Sequence, residues 1–164
     1  MEMYTELVMG ARLKCTTPSN IINILYYMVG EYDNCPEDLP DHPLFGTERW
    51  EFMLDMGSCY FVGDTCTKIM SKPHGCVTVW DLTVRCSLKN YDSEIELFLD
   101  WICPYLDSSC HGFIGYFRYE EYDDPTLIYY DSDVRGGQIQ LMNIVEGCIC
   151  EKIPLSEWLD RLKR

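Results

Sequence analysis

Cys76-Val77-Thr78-Val79-Trp80-Asp81-Leu82-Thr83-Val84-Arg85-Cys86-Ser87-Leu88-Lys89 is the stretch on which the fold turns. Trp80, Leu82, Val84, Cys86 and Leu88 alternate with Asp81, Thr83, Arg85, Ser87 and Lys89. A period of two with one apolar face is the pattern of a half-buried strand, one face on a core and the other on water. Met3 to Cys15 repeats it: Met3, Leu7, Met9, Ala11 and Leu13 share one parity, Glu6, Arg12 and Lys14 the other.

Helical spacing fills the interval between these strands. Thr17-Pro18-Ser19-Asn20 reads as a helix start with Thr17 as N-cap and Pro18 in the first helical position. Ile21, Leu25, Met28 and Val29 follow at helical spacing, and Gly30 is a natural stop. Pro36, Pro40 and Pro43 make residues 31–46 an irregular loop. A short helix is expected from Thr47 through Trp50, Met53 and Leu54, then a short strand at Ser58–Gly63.

Beyond Lys89, a second helix is expected from Asp92 or Ser93, with Glu94 and Glu96 favourably set against the helix dipole. Ile95, Phe98, Leu99 and Ile102 form its apolar stripe, and Pro104 limits its length. Gly112–Tyr122 reads as a strand with Phe113, Phe117 and Tyr119 on one face, turning at Asp123-Asp124-Pro125 into Thr126–Tyr130. Strands at Gln138–Ile144 and Cys148–Ile153 and a terminal helix capped by Ser156 complete the order. The expected fold is a single α+β domain over residues 1–164. It is an antiparallel sheet with helices packed on one face, in split β-α-β (ferredoxin-like) order with C-terminal strand and helix additions. That arrangement serves many unrelated functions, so function must be argued from sites.

A hydrophobic fraction of 47% and an aromatic fraction of 13% are those of a globular chain, so the net charge of −14 does not signal disorder. No apolar run approaches the roughly 18 residues that span a bilayer. The opening Met1-Glu2-Met3-Tyr4-Thr5-Glu6 lacks a basic and then apolar leader, and a cytoplasmic location is expected, with no membrane partner. In that compartment the ten cysteines are expected as thiols, several of them, such as Cys86, acting as small apolar residues.

The charge is unevenly placed. Residues 31–64 hold nine acids against Arg49 alone, a net of −8, and residues 91–133 hold eleven against Arg118 alone, a net of −10. Between them, residues 65–90 carry a net of +3. A surface far from neutrality keeps proteins apart in solution, and it also steers a molecule towards a basic partner. Tyr119, Glu120, Glu121, Tyr122, Asp123 and Asp124, with Asp131 and Asp133, mix aromatics with carboxylates and are the expected partner-binding residues.

Catalytic patterns are missing from the sequence. His42, His74 and His111 lie in loops, Cys110 and His111 are adjacent and therefore point apart, and no phosphate-binding or nucleophile-elbow motif occurs. No C-x₂₋₄-C pair announces zinc, and Asp131-Ser132-Asp133 lacks the further ligands of a calcium loop. No cofactor and no metal are expected. Direct nucleic-acid binding is disfavoured because no basic stripe exists to follow a backbone. The expectation is a non-enzymatic acidic protein-binding module, an inhibitor or decoy of a basic, nucleic-acid-binding partner. Phage and mobile-element counter-defence factors of the anti-CRISPR or DNA-mimic type are proteins of this general kind. The alternative is a small-molecule-binding protein or enzyme with a pocket between sheet and helices, lined by Tyr26, Tyr27, Trp80 and Tyr116.

Overall fold

A computed structural model describes residues 3–58, 67–146 and 148–164. In chain order the elements are β1 (Thr5–Leu13), α1 (Ser19–Met28), β2 (Lys68–His74), β3 (Val77–Leu88), α2 (Glu94–Ile102), β4 (Gly112–Tyr119), β5 (Thr126–Asp131), β6 (Gln138–Val145), β7 (Cys148–Ile149), β8 (Ile153–Pro154) and α3 (Leu155–Leu162). Short 3₁₀ turns occur at Pro43–Gly46, Cys103–Tyr105 and Ser108–Cys110. The strands form one antiparallel sheet in the order β2-β3-β1-β4-β5-β6-β7, and β8 also pairs with β6. The chain is thus an α+β protein built on an antiparallel sheet and three α-helices among the described residues.

Alternation in β1 and β3 does what the sequence implies. Leu7, Met9, Ala11 and Leu13 lie opposite Cys86, Val84, Leu82 and Trp80, so the two apolar rows merge on one face. Ile24, Leu25 and Met28 of α1 pack there together with Leu44, Trp50, Met53 and Leu54 of the loop and Ile95, Phe98, Leu99 and Ile102 of α2. Cys86 is fully buried among them, and burial pushes its thiol up to about 12, so it packs as an inert apolar residue. Phe45 meets Trp50 and Trp101 edge-on at 4.9 and 5.4 Å, which ties the loop to α2.

No described helix covers the opposite face of the sheet. The register places Arg12 opposite Asp81, Val8 opposite Arg85 and Tyr116, and Glu6 opposite Arg118. Lys72 of β2 reaches Asp81 at 2.8 Å and Lys152 lies 4.0 Å over the Tyr129 ring. Much of the protein's basic charge therefore gathers on the face turned away from the helices.

Several local expectations are corrected. β2 has no counterpart in the sequence reading. Pro73 and a polar run hide an edge strand whose single buried side chain is Ile69. It joins β3 through a two-residue turn in which Gly75 has φ +63°. The strand expected at Ser58–Gly63 lies, past Ser58, outside the described residues. Trp50, Met53 and Leu54 are buried as their spacing implies, but on turns: Phe52 N–H donates to Arg49 O and Asp55 N–H to Phe52 O, with no helix between. Thr17 does not cap α1; its hydroxyl donates to Lys14 O at 2.6 Å and Pro18 occupies the N-cap. Ser156 lies inside α3, behind Pro154. In β4 a bulge between Phe113 and Gly115 reverses the parity, so Phe113 is exposed while Phe117 faces the core.

Candidate acidic cavity

α2 begins without help from Ser93, which adopts a left-handed φ of 59° and makes no side-chain cap. Asn90 takes that role: its Oδ1 accepts the Ile95 N–H at 2.8 Å while its Nδ2 donates to Glu96 Oε2 at 2.8 Å. Glu94 and Glu96, read from sequence as dipole partners, are both buried, at 0% and 6% exposure. Glu94 accepts from Arg49 at 3.1 Å and from the Asp92 N–H at 3.0 Å. Among the described residues Glu96 pairs with no cation, and its burial raises the carboxyl above its ordinary value although Asn90 and Trp158 both act to lower it. Trp158 of α3 lies alongside, its buried indole Nε1 near enough to the Glu96 carboxylate to favour the ionised form without completing a well-aligned hydrogen bond.

Asn90, Glu96 and Trp158 help line a cavity of about 850 Å³ between the core face of the sheet and the helices. Thr5, Phe117, Thr126 and Asn143 line it from the ends of β1, β4, β5 and β6. They share the core parity, and Thr126 donates to Asn143 at 2.9 Å. The turn from β4 to β5 closes one wall. Glu120 N–H donates to Tyr4 O and Tyr122 N–H to Tyr119 O, which hold the turn against the start of β1. The Tyr119 and Tyr122 rings meet at 5.4 Å, and the Tyr119 hydroxyl contacts Met3 Sδ. Crowding and the neighbouring carboxylates raise the Tyr119 phenol.

The structure divides the eight residues singled out from sequence. Tyr119, Glu121, Tyr122, Asp123 and Asp124 line the cavity, and Glu120 stands on the same turn outside its lining. Asp131 and Asp133 lie at the far end of β5, a distance of about 20 Å for a six-residue strand. There they join His111, each offering a ligand atom within 4.8 Å of the others. That group already has internal partners: Ser132 N–H donates to His111 Nδ1 at 3.1 Å, and Asp133 N–H to Asp131 Oδ1 at 2.9 Å. Cys110, next in sequence to His111, instead donates its thiol to Arg12 O at 3.4 Å and is raised by burial. The pocket imagined from sequence is a different one, since Tyr26, Tyr27, Trp80 and Tyr116 do not line this cavity. Glu96, Asn90, Asn143 and Trp158 were missed because three distant segments supply them.

The two acidic blocks adjoin here. Arg49, the lone base of the first, reaches Glu48, Asp92 and Glu94 at 3.1–3.2 Å and lies 5.1 Å from the Tyr91 ring. Tyr91 in turn lines the cavity beside the β4–β5 turn. His42 contacts Asp100 of α2 at 2.9 Å, and the Tyr27 hydroxyl of α1 donates to Glu51 at 2.7 Å, so the loop is tied to both helices. Among the described residues no helix is long and apolar enough to cross a membrane. No protein-family model, curated protein or solved structure matches this chain.

Proposed function

We propose that the protein is a non-enzymatic acidic module that engages a basic surface on a protein partner and blocks or decoys it. The observation that carries the reading is the junction at Arg49, which joins Glu48 of the loop to Asp92, Glu94 and Tyr91, the last of which lines the cavity with the acidic β4–β5 turn. Basic side chains such as Arg12, Lys72 and Lys152 lie instead towards the sheet face turned away from the described helices. A surface divided in this way orients a basic partner as well as attracting it. Tyr122, 66% exposed amid Glu121, Asp123 and Asp124, is suited to anchor a contact that the charges steer. A nucleic-acid-binding protein is the partner class with the matching basic groove, which places the chain with counter-defence decoys of phage and mobile elements in this proposal. For the fold, the sheet order β2-β3-β1-β4 supports reading β1 to β4 as a split β-α-β unit extended by β5–β8 and α3.

Affinity capture from a host extract, eluted by a salt gradient, tests the reading. The partner is expected to bind at about 50 mM salt, to elute before about 500 mM, and to escape capture by Glu121→Lys/Asp123→Lys/Asp124→Lys. Retention through high salt, or capture by the triple variant equal to that of the wild type, contradicts it.

A further inference from the structure

The sheet face turned away from the described helices gathers bases that lie far apart in sequence. Register puts five strand-borne bases there, Arg12, Lys68, Lys72, Arg85 and Arg118, against three acids, Glu6, Asp81 and Asp131. Lys152, seated over the Tyr129 ring, adds a sixth base. Asp81 is already shared by Arg12 and Lys72, and Glu6 is fully buried with Arg118 3.9 Å away. In a chain of net charge −14 this face is therefore locally positive, and the anion that complements it comes from outside.

A second feature of the same face is independent of charge. Gly10 stands in the middle of β1, a position where glycine weakens a strand and often marks the close approach of another molecule. Nothing internal calls for it. Its φ is not positive, and β1 keeps unbroken register with β3 from Thr5 to Leu13. Among the described residues, a Cβ at Gly10 would meet only the Leu82 carbonyl, at 3.9 Å. Gly10 and its partner Thr83 are both exposed and lie in a groove of about 510 Å³. Arg12, Asp81, His111 and Phe113 line the same groove. The Phe113 ring is 57% exposed and meets Tyr129 edge-on at 5.7 Å. A bare floor beside an open ring suits a flat aromatic group, and the bases on either side suit phosphates.

We infer that this face binds single-stranded nucleic acid, with a base stacked on Phe113 over Gly10 and the backbone running between Lys68 and Lys72 at one edge and Lys152 at the other. Those edges are six strand spacings apart, about 29 Å, room for at least about four nucleotides. A duplex keeps its bases stacked on one another and cannot use the ring. An acidic peptide would answer the charge but leave Phe113 and the Gly10 floor without a role. No basic stripe runs along the sequence because separate strands supply this one. The inference does not rest on the acidic surface proposed above.

Fluorescence anisotropy of a labelled twelve-residue oligothymidylate, titrated with the full chain at about 50 mM salt, tests it. Saturable binding is expected, falling about ten- to twentyfold by about 200 mM salt if roughly three phosphates are neutralised. Phe113→Ala should weaken binding about fivefold or more through lost stacking, and Lys68→Ala/Lys72→Ala should weaken it and flatten the salt dependence. Gly10→Val is the sharpest variant. It should melt no lower than the wild type, because the added side chain enters open space, yet bind at least about tenfold more weakly because it fills the groove. No saturable binding up to about 100 µM protein would overturn the inference, as would equal affinity for a duplex of the same length. Wild-type affinity in both Phe113→Ala and Gly10→Val would also overturn it. Displacement of the oligonucleotide by a twelve-residue poly-Glu peptide as effectively as by unlabelled oligothymidylate would assign the face to an acidic protein instead. Loss of salt-sensitive capture by the acidic turn, with oligonucleotide binding intact, would overturn the partner proposal and leave this one standing.

Discussion

Replacing Arg49 with Ala removes the only base of residues 31–64 from three carboxylates at once. The consequences differ among the three. Glu48 and Asp92 have half or more of their side-chain surface exposed, and their pairs contribute a few tenths of a kcal/mol each. Glu94 is different: its side chain is fully buried, Arg49 is itself only 18% exposed, and the 3.1 Å contact is its ion pair. Removing one partner of a buried pair strands the other charge at a cost of about 3–5 kcal/mol. The Asp92 N–H still donates to Glu94 at 3.0 Å, which points to the lower end, about 3 kcal/mol. For a chain of this length that corresponds to a fall in Tm of about 6–12 °C. Circular dichroism melts read it directly. Arg49→Met/Glu94→Gln, which removes both charges, should recover more than half of the loss, as buried pairs replaced together commonly do. A single variant that melts within about 2 °C of the wild type, or a double variant no better than the single, would refute the argument that Arg49 holds the acidic loop to α2.

Three further outcomes follow from other parts of the molecule. Gly115→Ala places a methyl group against the Val8 carbonyl and the Met9 backbone, so it should cost at least about 2 kcal/mol in urea unfolding, whereas Gly46→Ala, with open space around it, should be nearly neutral. Asp81, held down to about 2 by Arg12 and then Lys72, stabilises the fold above its ordinary 3.8 and ceases to do so as pH falls through about 2. Because Lys72 is half exposed, the advantage over Asp81→Asn should be on the order of 1 kcal/mol at pH 7 and should vanish across that acid window. Glu96 is shifted the other way, so its charge burdens the fold above its raised value and the burden lifts as pH falls. Glu96→Gln should therefore melt higher than the wild type at pH 7, with the difference closing below the ordinary value of 4.5.

What was legible in the sequence follows from where side chains take their instructions. β3 and α2 were readable because each buries one face against one partner layer, so periodicity alone records the burial. β2 was not, because a strand whose one partner among the described residues is β3 tolerates Pro73 and has little apolar face to advertise. The parity change in β4 depends on Gly115 passing under Val8 and Met9, an encounter between strands that no local pattern records. In the 47–54 segment, the apolar spacing was set by the core while Arg49 was committed to Glu94, and turns satisfied both where a helix had been expected. At the site, the Tyr119–Asp124 turn was visible because its residues are contiguous. The cavity was hidden because Glu96 looked like a dipole partner and Trp158 like an ordinary helix residue. Only the packing of α2 against α3 makes them neighbours.

Location of charge, as opposed to its total, is the central claim, and one comparison isolates it. Two triple variants change the net charge equally: Glu121→Gln/Asp123→Asn/Asp124→Asn at the cavity turn, and Glu151→Gln/Glu157→Gln/Asp160→Asn at exposed positions near the C-terminus. The association rate of a Lys-rich peptide of about ten residues is then measured for both by stopped-flow at low salt. The account predicts that the first variant associates at least about tenfold more slowly than the wild type and the second within about twofold of it. Equal slowing in both would mean that the acidity acts only through net charge, and would contradict the account.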